Sequence, residues 1–266
     1  MVDGWSAYER DRADRVGRAQ EAAESAARAQ AEAAERTALV ITRLALQVLG
    51  ALSGADRAAR QLLIDQIMQV IYAETVKFAP EPKPVLRLNY MVAIPWHRVR
   101  QTPELQWNPL YEIRPEGRYA HMLDLKYRMQ DGQRQPVGPP IRIPVDDHIA
   151  TPNHVLPGAP EVLAWGEAKL IPRNQRGDVV LSFRSGVAEP ERVAIRTYLQ
   201  QLWFQGLLTL RLDTNIRSVG VLNIESSQRD LIGRGQEGVN NLARELKSLC
   251  QILAYVVEKE HENELG

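Results

Sequence analysis

Three prolines in six residues, "APEPKP" at 79–84, separate two hydrophobic periods, and that switch constrains the fold more than any other feature. Proline lacks the backbone N–H and clashes with the carbonyl four residues back, so no helix crosses this stretch. Before it, apolar residues recur at steps of three and four. Ala59, Leu62, Leu63, Ile67, Val70 and Ile71 form one helical stripe, opened by a capping box at Ser53–Asp56. After it the period is two. In "VLRLNYMVAI" the set Leu86, Leu88, Tyr90, Val92 and Ile94 alternates with a more mixed set, as in a half-buried strand.

The alternation continues in "YAHMLDLKYRM" (119–129), which ends at the turn "DGQ". "PPIRIPV" reads as a short edge strand, because its prolines exclude a central position. "DVVLSFR" (178–184) is a further candidate strand. "PERVAIRTYLQQLW" opens with Pro190 at a helix start. The clearest hairpin joins "QGLLTLRL" (205–212) to "SVGVLNIES" (218–226). A closing helix carries Val239, Leu242, Leu246, Leu249, Leu253 and Val256, widened by Ala243, Cys250 and Val257. A stripe that wide covers a sheet and still offers an edge to a second helix. The class is α+β, with an antiparallel sheet of about five or six strands.

Residues 8–52 contain no proline and are rich in Ala, Arg, Glu and Gln, which reads as one long helix. A heptad seam runs through Ala13, Val16, Gln20, Ala23, Ala27, Gln30, Ala34, Thr37, Ile41, Leu44 and Val48, with its apolar part from Ile41 onward. A helix of that length extends ~67 Å, so it either protrudes or pairs with a copy of itself as a coiled coil. Two parts are expected: residues 1–52 as this helix and residues 53–266 as the folded domain. Homodimerisation through the terminal helices follows.

Composition excludes several functions. Acidic and basic residues balance at 33 each, so no global field draws the chain to nucleic acid or an anionic membrane. The single cysteine, Cys250, excludes an internal disulfide framework and a cysteine-based zinc site. The N-terminus lacks the apolar core of a signal peptide. "ALVITRLALQVLGAL" is too short to span a bilayer and carries Arg43. A soluble, cytoplasmic protein is expected.

The densest group of candidate ligands is "VDDHIATPNH" (145–154), with Asp146, Asp147, His148 and His154. A metal site needs ligands fixed on rigid elements, and this loop is broken by Pro144, Pro152 and Pro157. No spacing places two ligands on one helical face. The preferred reading is a polar loop with turn-forming Asp and Asn and no metal. A metal-dependent hydrolase using His148 and His154 is the distant alternative. No Ser/His/Asp order, paired-carboxylate signature or glycine-rich phosphate loop appears, so no catalytic residues are assigned.

The second half of the chain resembles the GAF domain, a PAS-like bacterial sensory fold. "RTYLQQLWFQGLLTLRLDTNIRSVGVLNIESSQRDLI" is similar to that family's ending, where a short helix leads into two strands. "GAPEVLAWGEAKLI" resembles the helix that covers its pocket. The likeness extends over about residues 55–260. It implies a sheet with helices on one face and a ligand pocket on the other. The cyclic-nucleotide motif of phosphodiesterase-type members is not traceable. Cys250 lies on a helical stripe rather than in the pocket region, and several cysteines are lacking. Bilin attachment and thiol redox catalysis are therefore disfavoured, and no cofactor is expected.

On this resemblance the 145–154 loop borders the pocket mouth as a gate. Arg184, Arg192 and Arg196 flank "SGVAEP" near the helix start, where free N–H groups and guanidinium donors favour an anion. Trp165 and Tyr198 offer flat surfaces for a ring. Alternation directs Thr209 and Arg211 away from Leu208, Leu210 and Leu212 and toward the pocket. The opposing readings are solvated arginines, Trp165 or Tyr198 as core residues (the preferred reading for Tyr198), and Thr209 and Arg211 facing water. The expected function is a non-catalytic sensory module that binds a small anionic or nucleotide-like ligand and regulates a protein partner. The alternative is a structural dimerisation module with a vestigial pocket.

Overall fold

A computed structural model describes residues 57–101, 110, 117–138, 141–229, 231 and 235–262, with positions 15, 18, 22, 25, 39–41, 43, 44 and 50. Of the N-terminal seam, Ile41 and Leu44 are among these and are helical. The remaining seam positions and the Ser53–Asp56 box lie outside the described residues. The chain divides into two compact units, Met1–Leu46 and Gln47–Gly266.

In chain order the elements are α1 (Arg57–Phe78), β1 (Leu86–Pro95), α2 (Trp96–Gln101), β2 (Tyr119–Gln130), β3 (Gln133–Gln135), β4 (Arg142–Asp146), α3 (Ala159–Trp165), β5 (Lys169–Pro172), α4 (Glu189–Gln201), β6 (Gly206–Asp213), β7 (Ser218–Ser226) and α5 (Gly235–Glu260). Among the described residues all seven strands join one antiparallel sheet in the order β3-β2-β1-β7-β6-β5. β4 pairs with β2 alone, as an edge strand holding Pro144 should.

One face of this sheet presents Leu88, Tyr90, Val92, Leu208, Leu210, Leu212, Leu222 and Ile224, all buried, to the long helices α5 and α1. The α5 repeat lies wholly in that interface. Val239, Leu242, Leu246, Leu249 and Leu253 have no exposed area, and each such burial is worth about 1.5–3 kcal/mol. The second helix for which the wide stripe leaves room is α1 of the same chain. Glu260 ties the two together by accepting from Arg57 (2.9 Å) and Arg60 (3.1 Å). The stripe of α1 is rotated from the expected one: Leu63, Ile64, Ile67, Met68, Ile71 and Thr75 are buried, while Leu62 and Ala59 are exposed. Cys250 is packed here, and burial pushes its thiol up to about 12, with the Asp213 carboxylate adding to the rise.

Gly220 explains the small residue in "SVGVLNIES". A Cβ there would run into the Met91 carbonyl oxygen on the neighbouring strand, so β1 and β7 approach closely only because it is glycine.

Two expectations fail on the other face. β1 is buried on both sides rather than one, because α3 and α4 cover the mixed set of residues. Residues 178–184 form no strand. Val179 makes a single bridge to Arg173, and the alternation of the segment reflects Val179, Leu181 and Phe183 packing inward while Val180 stays exposed. The strand in this region is β5, four residues long, which the sequence presents only as the tail of the covering helix.

Candidate functional site

Strand register assembles a polar row beneath α3 and α4. Arg128 on β2 stands opposite Asn89 on β1, Asn89 opposite Asn223 on β7, and Asn223 opposite Thr209 on β6. In the next row Gln130, Arg87 and Glu225 are neighbours. Residues paired in register share a face, so four strands contribute polar groups to one patch of an otherwise apolar core.

The patch is wired as a directional chain. The Thr209 hydroxyl donates to Asn223 Oδ1 (2.8 Å), Asn223 Nδ2 to Asn89 Oδ1 (2.9 Å), and Asn89 Nδ2 to Glu225 Oε1 (2.8 Å). Trp203 Nε1 donates to the other oxygen, Glu225 Oε2 (2.9 Å). The Arg87 guanidinium lies 4.3 Å above the Trp203 ring and donates to Gln130. Thr209 has no exposed area, and Asn89 and Asn223 are buried. Burial holds the Glu225 carboxyl above its ordinary value, only partly offset by the Trp203 hydrogen bond, the Arg87 and Arg128 charges and Asn89.

Above the row lies a cavity of about 50 Å³, roofed by the start of α3 and by Ile195, Tyr198 and Leu199 of α4. At ~10–15 Å³ of such volume per water it holds a few water molecules. Two groups beside it are unspent. Arg128 and the Tyr198 hydroxyl make no hydrogen bond to any described residue. Tyr198 is pushed up to about 12 by burial and by the Glu225 carboxylate, with Arg128 opposing. The site therefore presents a guanidinium and a phenol over a saturated polar floor.

The structure distributes the sequence-derived candidates. Tyr198 lines the cavity and Thr209 anchors its floor. Trp165 ends α3, with Arg184 stacked on its ring at 4.0 Å and His148 edge-on at 6.1 Å. Arg196 lies beside Phe183 at 5.4 Å, sharing that ring with Arg192. Arg211 pairs with Asp213 (2.9 Å). Neither Arg184 nor Arg196 lines the cavity. The start of α4 already has its anion: Glu191, 3% exposed, accepts from the Ala188 N–H. Asn89, Arg128, Asn223 and Glu225 were missed, since polar residues on alternating positions read as solvent-facing. Their sequence signal was confined to the two-residue spacing of Asn223 and Glu225 on β7.

In the 145–154 loop Asp147 is the turn former, accepting from the N–H groups of Ile149 and Ala150. His148 turns to Trp165, whereas the His154 ring lies against Gly186. Among the described residues no three His, Cys, Asp or Glu side chains are placed to hold a metal. Among them also, no helix is long and apolar enough to cross a membrane.

No protein-family profile and no curated protein matches the chain. Solved structures do. The phycocyanobilin-bound GAF domain of a cyanobacterial phytochrome is similar over 85% of this chain and 96% of its own, with a TM-score of 0.43 and 11% identity. The GAF domain of a two-component sensor histidine kinase from Bacillus halodurans is similar over 70% and 94%, at 0.32 and 12%. The cyanobacteriochrome receptor PixJ is similar over 75% and 98%, at 0.34 and 10%.

Proposed function

We propose that the chain is a non-catalytic sensory module whose small ligand enters the cavity between the sheet and α4, carrying an anionic or other strong acceptor group to Arg128. The observation behind this reading is the pairing of an unspent guanidinium and phenol with a half-buried carboxylate that is itself fully wired. A structural core gains nothing from leaving arginine donors without acceptors beside a void. Because the cavity holds only a few waters, admitting a ligand displaces α4. That helix runs through Trp203 and Phe204 into β6, so its movement reaches the strand on which α5 rests. This is the path by which binding would regulate a partner.

A thermal-shift screen with nucleotides, cyclic nucleotides and small carboxylates tests the reading. At least one compound should raise the melting temperature of the wild type. Loss of a charge-assisted contact is worth about 1.5–3 kcal/mol, so Arg128→Gln should weaken that compound about tenfold or more. Arg196→Gln, whose side chain does not line the cavity, should leave it unchanged. If no compound shifts the wild type, the structural-module reading takes its place.

Dimerisation belongs to the same proposal and rests on the N-terminal segment, since the α5 stripe is consumed within the chain. There the helical Leu39 and Val40 are exposed at 64% and 41%. Removing residues 1–46 should convert a dimer to a folded monomer in sedimentation at low micromolar concentration. A truncated chain that stays dimeric contradicts it.

A further inference from the structure

We propose that a second, separate cleft beside α3 binds a small organic phosphate or carboxylate through His121, His148, Arg211 and Arg217. This cleft, about 360 Å³, lies on the same side of the sheet as the first cavity but at the opposite strand ends. Its four cation-capable side chains come from four places in the chain: β2, the loop after β4, β6 and the β6–β7 turn. It uses the 145–154 loop, and Arg211, in a way the first cavity does not.

Hydrogen-bond capacity decides what class of molecule fits. Neither His121 nor His148 has a hydrogen-bond partner among the described residues. Arg211 donates from Nε to Asp213, leaving the four N–H groups of its two Nη atoms without an acceptor among those residues. Its guanidinium is pinned flat by Gly166, the left-handed residue (φ 81°) that ends α3. A Cβ there would stand 2.6 Å from Arg211 Cζ. The Ser218 hydroxyl already donates to Asp213. The one carboxylate in the wall, Asp146, is 2% exposed and has its own partner. Donors thus outnumber available acceptors, so the ligand must bring acceptors. Pro95, Leu163 and Ala164 supply apolar wall, and the volume falls in the range of small-molecule sites, about 300–1,000 Å³. An acid with an organic body fits both properties.

Charge makes this binding depend on pH. Asp213 faces Arg211 (2.9 Å) and Glu258 faces Arg217 (2.7 Å), so each arginine is matched. Asp146 and Asp147 add negative charge from the β4 side. The positive charge that the cleft can still gain near neutral pH therefore comes from histidine. Burial, with smaller contributions from His148 and His97, holds His121 below its ordinary value, with Asp147 opposing. The empty cleft keeps His121 neutral near pH 7. A bound anion favours the imidazolium, so binding takes up protons and strengthens as pH falls.

The experiment titrates the full-length protein with phenyl phosphate by calorimetry, and follows histidine ring protons by NMR, at about pH 6 and about pH 8. Expected are saturable binding at the lower pH, roughly tenfold weaker at the higher, and shifts of both histidine signals. Arg211→Gln should weaken binding about tenfold, and His121→Gln with His148→Gln should abolish the pH dependence. Arg128→Gln should change nothing here, which separates this site from the first cavity. Failure to saturate at about pH 6, undiminished binding to Arg211→Gln, or loss of binding in Arg128→Gln would each overturn the proposal. Circular dichroism of each variant guards against misfolding, and the ring-proton shifts of the wild type decide the matter should a variant not fold.

Discussion

Replacing Arg173 with methionine is expected to cost a large part of the folded stability of the domain. This side chain, 5% exposed, has no carboxylate partner among the described residues. It instead makes five hydrogen bonds to backbone carbonyls: Nε to Phe204, Nη1 to Gly177, and the two Nη2 N–H groups shared among Leu199, Gln200 and Leu202, at 2.5–3.2 Å. Leu199 and Gln200 lie in the last turn of α4, whose carbonyls carry the negative end of its dipole; Leu199 also accepts from the capping Leu202 N–H (3.2 Å). Those dipoles compensate the buried charge, and the charge in turn secures the connection from α4 to β6. Methionine fills similar volume but supplies no donor. Each buried carbonyl left unpaired costs about 1–3 kcal/mol. Leu199 keeps the Leu202 N–H and Gly177 keeps Gln200 Nε2, so three carbonyls lose their donor, at about 3–9 kcal/mol in all before water reaches any of them, against a typical total of about 5–15. Lysine keeps the charge but has only three donors, so Arg173→Lys should fall between. Urea unfolding of the three proteins checks this, and a methionine variant within about 1 kcal/mol of wild type would refute it.

The consequence reaches the site, because the connection that Arg173 holds also sets the height of α4 above the polar floor. A lysine variant that remains folded should therefore carry a looser cavity, with Tyr198 more exposed.

How far the sequence foretold this molecule depended on whether a signal was local. The β6–β7 hairpin was legible because Leu208, Leu210 and Leu212 alternate strictly, and their burial under α5 follows from that. The same alternation misled at 178–184, where a loop packed on α4 buries every second residue without any strand partner. For α1 the periodicity was correct and the face was off by one position. Both Leu62 and Leu63 are apolar, and only the position of α5 decides that Leu62 faces out. The floor of the site was the deepest omission. Asn89, Asn223 and Glu225 occupy alternate positions that an open sheet would give to water. What buries them is α3 and α4, brought over the sheet from distant parts of the chain. A polar residue marks a wet face and a wired cavity equally well, and only tertiary structure separates the two.

That wired floor gives the second large expectation: Asn223→Leu should destabilise the chain by about 2–5 kcal/mol, while Glu225→Gln should stabilise it at neutral pH. Asn223 is the middle link, so leucine leaves the fully buried Thr209 hydroxyl and Asn89 Oδ1 without their partner, at about 1–3 kcal/mol each. Glutamine at 225 breaks nothing if the chain reverses. Its Oε1 accepts from Trp203 and its Nε2 donates to Asn89 Oδ1. Asn89 and Asn223 flip their amides, and Thr209 Oγ1 becomes the final acceptor. Glu225 cannot do this while ionised, being acceptor-only, and its charge is held in a buried place. Its folded pKa lies above the ordinary 4.5, so as pH rises the unfolded chain releases this proton first. Stability contributed by the site is thus full below 4.5, falls through the interval up to the raised folded value, and is level above it. The glutamine variant has no such loss. Urea midpoints of wild type and Glu225→Gln should coincide near pH 4 and separate, in favour of glutamine, toward pH 7. A pH-independent difference, or a glutamine variant weaker than wild type at neutral pH, would mean that the carboxylate stabilises the folded chain and that the floor is built around a permanent charge.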